Sequence, residues 1–357
     1  MINPVKITFH TIGCKLNFTE TSEIKKQFNR NQYKFVDLQQ KADVFIINTC
    51  TVTKNADKKS LAAINKFRKN NPDSKIIVTG CLAQVNQDVI PHDENIYIVG
   101  NHAKSKIREI TEKEIHQKVF TCAYKNMNTF YPAFSSDDRT RVFLKVQDGC
   151  DYFCSYCTVP FARGKSRNIP IKNILQQTEK IAKKDIKEII LSGINTGDFG
   201  KSSNETFLEL IKALDKQNLI PRIRISSIEP NLLTDKIIEF VAKSKVFMPH
   251  FHIPLQSGSD KVLKQMKRRY TGKTFEEKVK KITEMMPDAG IGADVIVGFP
   301  GESDADFNET KDFLSKQKLS YLHVFTYSDR PGTASFQFKN KVPNEKKKLR
   351  SISLHQL

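Results

Sequence analysis

Short apolar runs rich in β-branched residues alternate along the chain with stretches whose apolar positions recur at helical spacing. In the N-terminal part, these runs predict strands at 6–9, 43–47, 75–78 and 96–99. Helical patterns lie between them, for example at 20–28 and 58–69. Strands that are apolar throughout and alternate with helices are typical of a parallel sheet covered on both faces. We therefore predict an α/β fold whose first domain, residues 1–130, is a doubly wound parallel sheet.

The alternation breaks at a polar segment and then resumes. Residues 131–140, which include two serines followed by two aspartates, are predicted to be a linker. Six strands are predicted beyond it, at 141–147, 188–192, 222–226, 246–253, 293–298 and 321–326. Helices are predicted at 171–183, 206–215, 234–243 and 275–286. Six βα units with right-handed crossovers curl into a partial barrel, so we predict a (β/α)6 domain over residues 141–357.

Each strand predicted in the second domain is followed by a polar or glycine-bearing loop. The active sites of α/β barrels are built at the carboxyl ends of their strands, so these loops predict a ring of polar groups around one site. The candidate contacts of a bound small molecule are Tyr156, Gly193, Asn195, Glu229 and Gln256. The alternative for each is a local role in a turn, a loop cap or a backbone tie.

Three cysteines directly follow the first strand of this second domain. Cys150, Cys154 and Cys157 form a C-x3-C-x2-C run. Three thiolates at this spacing can hold three irons of a cubane iron–sulfur cluster. The fourth iron then has no protein ligand and is open to a small molecule. That vacancy favours a catalytic site over a structural site or an electron carrier.

Zinc and disulfide bonds are the alternatives for these cysteines. Structural zinc sites usually have four ligands from two pairs of residues, and no second pair follows here. Disulfide frameworks are typical of short secreted chains with an even number of cysteines. This chain has 357 residues and seven cysteines, and its first apolar stretch, 7–12, is too short for a signal peptide. The pattern therefore favours an iron–sulfur cluster, and zinc is the main remaining alternative.

Three further cysteines occupy equivalent positions in the first domain. Cys14, Cys50 and Cys81 each come just after a predicted strand. The carboxyl ends of parallel strands share one edge of the sheet, where ligands of open α/β sheets bind, so we expect these thiols to converge. Chance placement of a small buried residue would explain one such cysteine but explains three poorly. We predict a second cluster with three protein ligands, and a structural role for Cys122.

The charge of the chain points to a polyanionic partner. Its 58 Lys and Arg residues against 39 Asp and Glu residues give a formal net charge of +19. Nucleic acid is the usual partner of such a chain, although a lysine-rich genome also produces this excess. Arg163, Arg167 and Arg330 are candidates for phosphate contacts, with solvated surface groups as the alternative. No apolar run approaches the length of a membrane span and the thiols look unpaired, so we expect a cytoplasmic protein without a membrane partner.

The cysteine run at the end of the first barrel strand, with an aromatic residue before its last cysteine, resembles the radical S-adenosylmethionine (SAM) enzymes. The resemblance implies a [4Fe–4S] cluster on Cys150, Cys154 and Cys157 whose open iron binds the amino and carboxylate groups of SAM. It also implies one-electron cleavage of SAM to a 5′-deoxyadenosyl radical, which abstracts hydrogen from an unactivated carbon. The five loop residues named above then become candidate contacts of this cofactor.

The motifs around the N-terminal cysteines resemble the methylthiotransferases within that superfamily. They read Gly-Cys-Lys-Leu-Asn, Asn-Thr-Cys-Thr-Val-Thr and Thr-Gly-Cys-Leu-Ala-Gln, and begin at Gly13, Asn48 and Thr79. The similarity continues through 143–150, 162–167, 252–259 and 325–333. The resemblance implies that the three N-terminal cysteines hold an auxiliary [4Fe–4S] cluster, which carries the sulfur to be inserted.

The first two of these motifs are most similar to the subgroup that acts on N6-threonylcarbamoyladenosine in tRNA. This implies insertion of a methylthio group at C2 of that adenine in the tRNA anticodon stem-loop, with an unidentified electron donor and sulfur source. Subgroups that act on isopentenyladenosine in tRNA, or on an aspartate of a ribosomal protein, are alternatives. They usually read Gly-Cys-Gln-Met-Asn and Gly-Cys-Pro-Lys-Asn at the first motif. Outside the enzyme class, the alternative is a metal-stabilised RNA-binding module.

Members of this family normally end in a small RNA-binding β-barrel, the TRAM domain. In this sequence a basic helical stretch follows the predicted barrel and no run of strands comes after it before Leu357. We therefore expect a chain without a TRAM domain, either a truncation or a variant with a weaker hold on RNA.

Overall fold

The computed structural model of the protein describes residues 3–135 and 141–357. Within the first of these ranges, six parallel strands form one sheet in the order β2-β1-β3-β4-β5-β6. The strands are β1 Val5–Thr11, β2 Tyr33–Phe35, β3 Val44–Thr49, β4 Lys75–Gly80, β5 Ile96–Val99 and β6 Val119–Phe120. The α-helices are α1 Lys15–Lys26, α2 Lys54–Asn70, α3 Cys81–Val85 and α4 Ile107–Glu112.

Helices cover both faces of this sheet because its central strands are apolar on both sides. On one face, Ile46 and Ile77 pack with Ile24 of α1 and Ile107 of α4. On the other face, strand residues pack against Ile64 and Phe67 of α2 and Leu82 and Ala83 of α3. The predicted doubly wound domain is confirmed. The strand order reverses between β1 and β3, which opens a crevice at the carboxyl ends of the central strands.

The second range forms a partial barrel of parallel strands. Its strands are β7 Val142–Lys145, β8 Glu188–Ser192, β9 Arg222–Ile225, β10 His250–Gln256, β11 Gly290–Val297 and β12 Tyr321–Thr326. Strands β7 to β9 and β10 to β12 form two three-stranded sheets, joined by parallel bridges from Ile223 to Phe247 and from Ser227 to His252. The α-helices here are α5 Val159–Arg163, α6 Ile171–Ala182, α7 Phe207–Gln217, α8 Asp235–Lys243, α9 Asp260–Gln265, α10 Gly272–Met285, α11 Asp304–Ser315 and α12 Asn344–His355. This arrangement confirms the predicted six-unit barrel.

Alternate residues of the barrel strands face two different environments. Ile189, Ile223, Ile253 and Val295 belong to the main apolar core, which includes residues of the surrounding helices. The positions between them face the lumen of the barrel, and several of them are polar, such as His252, Asp294 and His323. This polar face continues the ring of strand-end loops and forms one wall of the site described below.

The fourth barrel strand differs from its prediction at 246–253. It runs instead over His250–Gln256, and Phe247 makes only an isolated bridge. Pro249 lacks a backbone donor and interrupts the ladder between them. Within the predicted linker, Ser135 donates its backbone N–H to Phe143 O, and Lys145 donates its backbone N–H to Ala133 O, so residues 133–135 lie along β7. Linker residues 136–140 lie outside the described residues.

Contacts between the two domains bring their cysteine loops together. Helix α1 contacts β7, and α3 contacts α5. Just after the last barrel strand, Ser328 accepts a hydrogen bond from the backbone N–H of Lys54, at the start of α2. Among the described residues, no helix combines the length and apolarity that a membrane crossing needs.

Candidate metal and cofactor site

One cavity of about 620 Å³ lies between the two domains and is lined by six cysteines. They are Cys14, Cys50, Cys81, Cys150, Cys154 and Cys157. Cys122 is not among the lining residues, and its carbonyl accepts a hydrogen bond from Gln84. A larger cavity of about 830 Å³ lies elsewhere and is lined by no cysteine. The two sets of thiols that the sequence singled out therefore share one space.

The three N-terminal cysteines converge because they follow neighbouring strands of the sheet. Cys14 precedes α1, Cys50 directly follows β3, and Cys81 opens α3 after β4. Gly13 makes the close approach possible, since its φ is +114° and a Cβ there would lie 2.7 Å from Cys50 Cβ. A larger residue would push the Cys14 loop away from Cys50.

The three barrel cysteines lie on a loop that is anchored at several points. Gly149 precedes this loop with φ +72°, and a Cβ there would lie 2.0 Å from the carbonyl oxygen of Lys165. Ser155 donates its backbone N–H to Met266 O and its hydroxyl to Gln265 O. These contacts fix the cysteine loop against the chain segment that follows α9.

The thiols are poorly suited to carry charge without a cation. Burial, together with the neighbouring thiols, raises the pKa of Cys50 and of Cys150 to about 12. Burial also raises the pKa values of Cys81, Cys154 and Cys157. Thiolates are the form that binds metal, and bound cations lower thiol pKa values strongly. Two groups of three thiols fit iron–sulfur clusters chemically, because soft thiolate ligands select such clusters.

A buried ion network lies beside the N-terminal cysteines. Lys145 Nζ lies 2.7 Å from Glu20 and 2.6 Å from Asp148, and Arg163 lies 2.9 Å from each carboxylate. Lys104 also pairs with Glu20, and Arg167 with Asp148. Four cations therefore surround two carboxylates. The surplus positive charge lies close enough to Cys81 for Arg163 to lower the pKa of this thiol, and it fits an anionic cluster held by thiolates.

Two buried polar side chains in the cavity lack protein partners. Asn195 is 3% exposed, and within the described part of the chain neither its amide nitrogen nor its amide oxygen has a hydrogen-bond partner. The same holds for the hydroxyl of Ser226. Buried polar groups are almost always hydrogen-bonded, so these two point to a polar ligand. Both residues line the cavity of the cysteines.

The other predicted cofactor contacts also line this cavity. Gly193 lies beside Gln147, and Gln256 ends β10 with φ +70°. The ring of Tyr156 stands edge-on to Phe299, and burial raises the pKa of Tyr156 well above its ordinary value. The structure thus brings all five loop residues, including Glu229, to the cysteines.

Glu229 is paired with an arginine that the sequence analysis missed. Arg268 binds Glu229 and donates hydrogen bonds to Cys154 Sγ at 2.9 Å and to Tyr270 at 3.0 Å. Its side chain is 3% exposed. In the sequence Arg268 stands in a basic run beside Lys267 and Arg269, a pattern typical of surface charge. Only the fold shows that the middle residue points inward.

The three arginines predicted to bind phosphate are buried, which corrects that assignment. Arg163 belongs to the ion network, and Arg167 donates to the backbone carbonyls of Thr129, Arg163 and Lys165. Arg330 binds Asp57 at 2.7 Å and Thr51 at 2.6 Å. Their guanidinium groups already have protein acceptors, so they connect chain segments rather than forming an exposed phosphate-binding surface.

Comparison with known proteins matches this architecture. The Radical SAM superfamily matches residues 144–314, and the Uncharacterized protein family UPF0004 matches residues 6–100. Among solved structures, the radical SAM methyltransferase TsrM from Kitasatospora setae aligns with TM-score 0.66 and 11% identity, over 93% of this chain and 77% of that one. The cobalamin-dependent SAM radical enzyme OxsB aligns with TM-score 0.60 and 13% identity, over 99% of this chain and 56% of that one. At these identities the likeness concerns the fold alone. Fold and site define a radical SAM protein.

Sequence relatives narrow the class further. The threonylcarbamoyladenosine tRNA methylthiotransferase MtaB of Aquifex aeolicus is 37% identical over 99% of this chain and 88% of its own length. MtaB of Bacillus subtilis is 39% identical over 96% of this chain and 78% of its own length. The tRNA-2-methylthio-N(6)-dimethylallyladenosine synthase of Helicobacter acinonychis is 35% identical, over 97% and 80%. The chain belongs to the radical SAM methylthiotransferase family.

Proposed function

We propose that this enzyme converts N6-threonylcarbamoyladenosine in the tRNA anticodon stem-loop to its 2-methylthio derivative. The observation that carries the proposal is the single cavity lined by both groups of three cysteines. A radical formed at one site can reach a sulfur donor at the other only if both face one space. The formal net charge of +19 supports a polyanionic substrate.

The barrel cysteines are proposed to hold the [4Fe–4S] cluster of the family. With SAM, this cluster supplies the radical that removes hydrogen from C2 of the adenine. Asn195 and Ser226 offer unpaired polar atoms for the cofactor, and Arg268 donates to Cys154 Sγ and so holds this ligand in place. The site lies in a cavity between two domains, and a substrate that fills this cavity would displace water from the reactive carbon and limit side reactions.

The N-terminal cysteines are proposed to hold the auxiliary [4Fe–4S] cluster that carries the sulfur. The surplus cations of the neighbouring ion network stabilise the negative charge of three thiolates and their cluster. The reaction also requires an electron donor and a sulfur source, which are external partners of the chain.

Two observations favour N6-threonylcarbamoyladenosine as the substrate. The relatives named MtaB carry this nucleoside in their names and are 37% and 39% identical to this chain. The first cysteine motif contains Lys15, whose cation lines the cavity. The competing candidate is dimethylallyladenosine, which the name of the Helicobacter acinonychis relative contains; that relative is 35% identical to this chain.

Nucleoside mass analysis tests the proposal. In a strain that lacks this gene, we expect the 2-methylthio derivative of N6-threonylcarbamoyladenosine to disappear from tRNA and the unmodified nucleoside to accumulate. Expression of the wild-type chain restores it, and the Cys81→Ala variant does not. Loss of the 2-methylthio-dimethylallyl nucleoside instead would assign the other tRNA substrate. Unchanged tRNA nucleosides would refute a tRNA substrate.

A further inference from the structure

A row of polar side chains crosses the lumen face of the last three barrel strands. Ser227 Oγ lies 2.7 Å from His252 Nδ1, and His252 Nε2 lies 3.0 Å from Asp294 Oδ1. The same Asp294 oxygen lies 3.1 Å from His323 Nδ1. The parallel register pairs Asp294 directly with His323, so both point to the same side of the sheet. We call Ser227, His252, Asp294 and His323 the lumen row.

The lumen row leads from the cysteine cavity toward solvent. Asp294 lines that cavity and also an adjoining cavity of about 250 Å³, whose walls include Gln256 and Phe325. The exposed fraction of the side chain rises from 12% for His252 to 20% for Asp294 and 55% for His323. The hydrogen bond of His323 uses Nδ1, and its Nε2 makes none with the described residues. Because His323 donates its Nδ1–H to Asp294, the lone pair of Nε2 is available as an acceptor for a hydroxyl group of a ligand.

Mutual hydrogen bonds explain the spacing of the row without a metal ion. One ligand atom from each of His252, Asp294 and His323 lies within 4.8 Å of the others. Both histidines share the same Asp294 oxygen, which brings their rings together. Asp294 therefore acts as a positioning residue that sets the orientation of two imidazoles.

The charges around the row are predominantly positive. Lys15 and Asp294 line the same cavity, and Arg141 and Arg224 lie close enough to Lys15 to act on its charge. Glu188 is the acidic partner of both arginines, at 3.7 Å from Arg141 and 3.0 Å from Arg224. The cations of the region outnumber its carboxylates, which favours an anionic ligand.

We propose that Lys15 and His323, arranged around Asp294, form the subsite that binds the N6 substituent of the substrate adenosine: Lys15 binds its carboxylate, and His323 Nε2 accepts a hydrogen bond from its hydroxyl. The inference rests on the proposed function and assigns its substrate specificity. The threonylcarbamoyl group ends in a carboxylate and a hydroxyl, whereas the isopentenyl group is purely apolar. An apolar group would desolvate Lys15 and His323 Nε2 and leave them without a ligand partner, which disfavours its binding.

A matched pair of RNAs tests this subsite. Anticodon stem-loops carry either N6-threonylcarbamoyladenosine or its carboxamide, which keeps the shape and removes the charge. Fluorescence anisotropy gives the Kd of each RNA for the same protein. We expect the wild type to bind the acid about tenfold or more tightly than the amide, because one charge-assisted hydrogen bond contributes that much.

The variants are judged by the ratio of the Kd for the amide RNA to the Kd for the acid RNA. Changes of overall RNA affinity cancel in this ratio. We expect Lys15→Met to bring the acid-to-amide preference close to one and Lys15→Arg to restore most of it, whereas His323→Leu should weaken the binding of both RNAs and keep the ratio. Lys59→Met and His355→Leu, at exposed positions of α2 and α12, are the matched controls: the first should keep the wild-type ratio, and the second should keep the wild-type affinity for both RNAs.

The outcomes separate the subsite from the function. A wild type that methylthiolates the acid RNA, with Lys15→Met retaining its acid preference or His323→Leu binding both RNAs as tightly as the wild type, would overturn the subsite alone. A wild type that methylthiolates the isopentenyl RNA and not the acid RNA would overturn the proposed substrate. A wild type without any acid preference would also overturn the subsite.

Discussion

At the scale of single residues, Asn195 offers the clearest sign of a bound molecule. Its amide is buried in the cysteine cavity, and neither amide atom has a partner among the described residues. We predict that Asn195→Ala weakens SAM binding about tenfold to a hundredfold, since a lost hydrogen bond to a polar ligand costs about 1–3 kcal/mol. Equilibrium dialysis with the reconstituted protein measures this Kd.

The stability of the same variant provides the control. Asn195→Ala removes no side-chain hydrogen bond within the described residues, so its free energy of unfolding should stay close to that of the wild type. Asn168→Ala is the matched comparison, because Asn168 binds Ser202, Ser203 and Gly200 and its loss should destabilise the fold. An Asn195→Ala protein that is strongly destabilised and binds SAM normally would show that this residue is structural.

Residue type decided how much of the site could be predicted from the sequence. Cysteines are scarce and their spacing is informative, so six thiols could be singled out and their convergence expected. Arg268 and Asp294 carry no such signal: one is hidden in a basic run and the other interrupts an apolar strand. Their roles depend on which side of a strand or loop they face, and only the folded chain specifies that. The same limit explains the three arginines taken as phosphate contacts, whose burial depends on distant carboxylates.

At the scale of elements, a glycine precedes each of Cys14, Cys81 and Cys150 at a place where a side chain would collide with a neighbouring segment. We predict that Gly13→Ala disrupts the N-terminal cysteine group and that Gly149→Ala disrupts the barrel group. Each reconstituted variant should hold about four irons per chain in place of about eight. Iron analysis and the visible absorption spectrum measure this.

A third alanine variant separates loop geometry from general destabilisation. Gly332 also has a positive φ, but nothing lies within 4 Å of the place that a Cβ would take there, so Gly332→Ala should keep all the iron. If Gly13→Ala and Gly149→Ala both keep about eight irons per chain, the loops do not depend on these close approaches.

Long elements were predicted better than short ones. The central strands of both domains and the amphipathic helices α6, α7, α8 and α10 have enough residues for a periodic pattern. Strands β2 and β6 and helices α3 and α5 have at most five residues each, which is too few for periodicity to show. Helices α3 and α5 nevertheless matter to the site, because they contact each other and bring the two cysteine groups together.

At the scale of the whole molecule, the buried ion network connects the two domains. Glu20 lies on α1, while its partners Lys145 and Arg163 belong to the barrel. We predict that Glu20→Gln lowers the free energy of unfolding by about 3–5 kcal/mol, because it leaves buried cations without their counter-charge. Urea denaturation of the unloaded protein measures this loss.

The pH dependence of the free energy of unfolding provides a second test of the buried ion network. Burial would raise the pKa of Glu20, but Arg163, Lys104 and Lys145 outweigh it and hold that pKa well below 4.5. The stabilisation by Glu20 is therefore complete above the pKa that Glu20 has in the unfolded chain. It is lost as the pH falls toward the lower pKa that Glu20 has in the folded protein. Between about pH 5 and about pH 3, the wild type should lose stability more steeply than Glu20→Gln. Equal slopes would contradict the assigned ion pairs.

The most direct test of the account measures two products with two triple-cysteine variants. The central claim is that one group of cysteines supports SAM cleavage and the other supports sulfur transfer in the same cavity. The assay follows 5′-deoxyadenosine and methylthiolated RNA after reduction of the reconstituted protein. With Cys14, Cys50 and Cys81 replaced by alanine, we predict that 5′-deoxyadenosine still forms and methylthiolated RNA does not. With Cys150, Cys154 and Cys157 replaced, neither product should form. Methylthiolated RNA from the first variant, or 5′-deoxyadenosine from the second, would contradict the account.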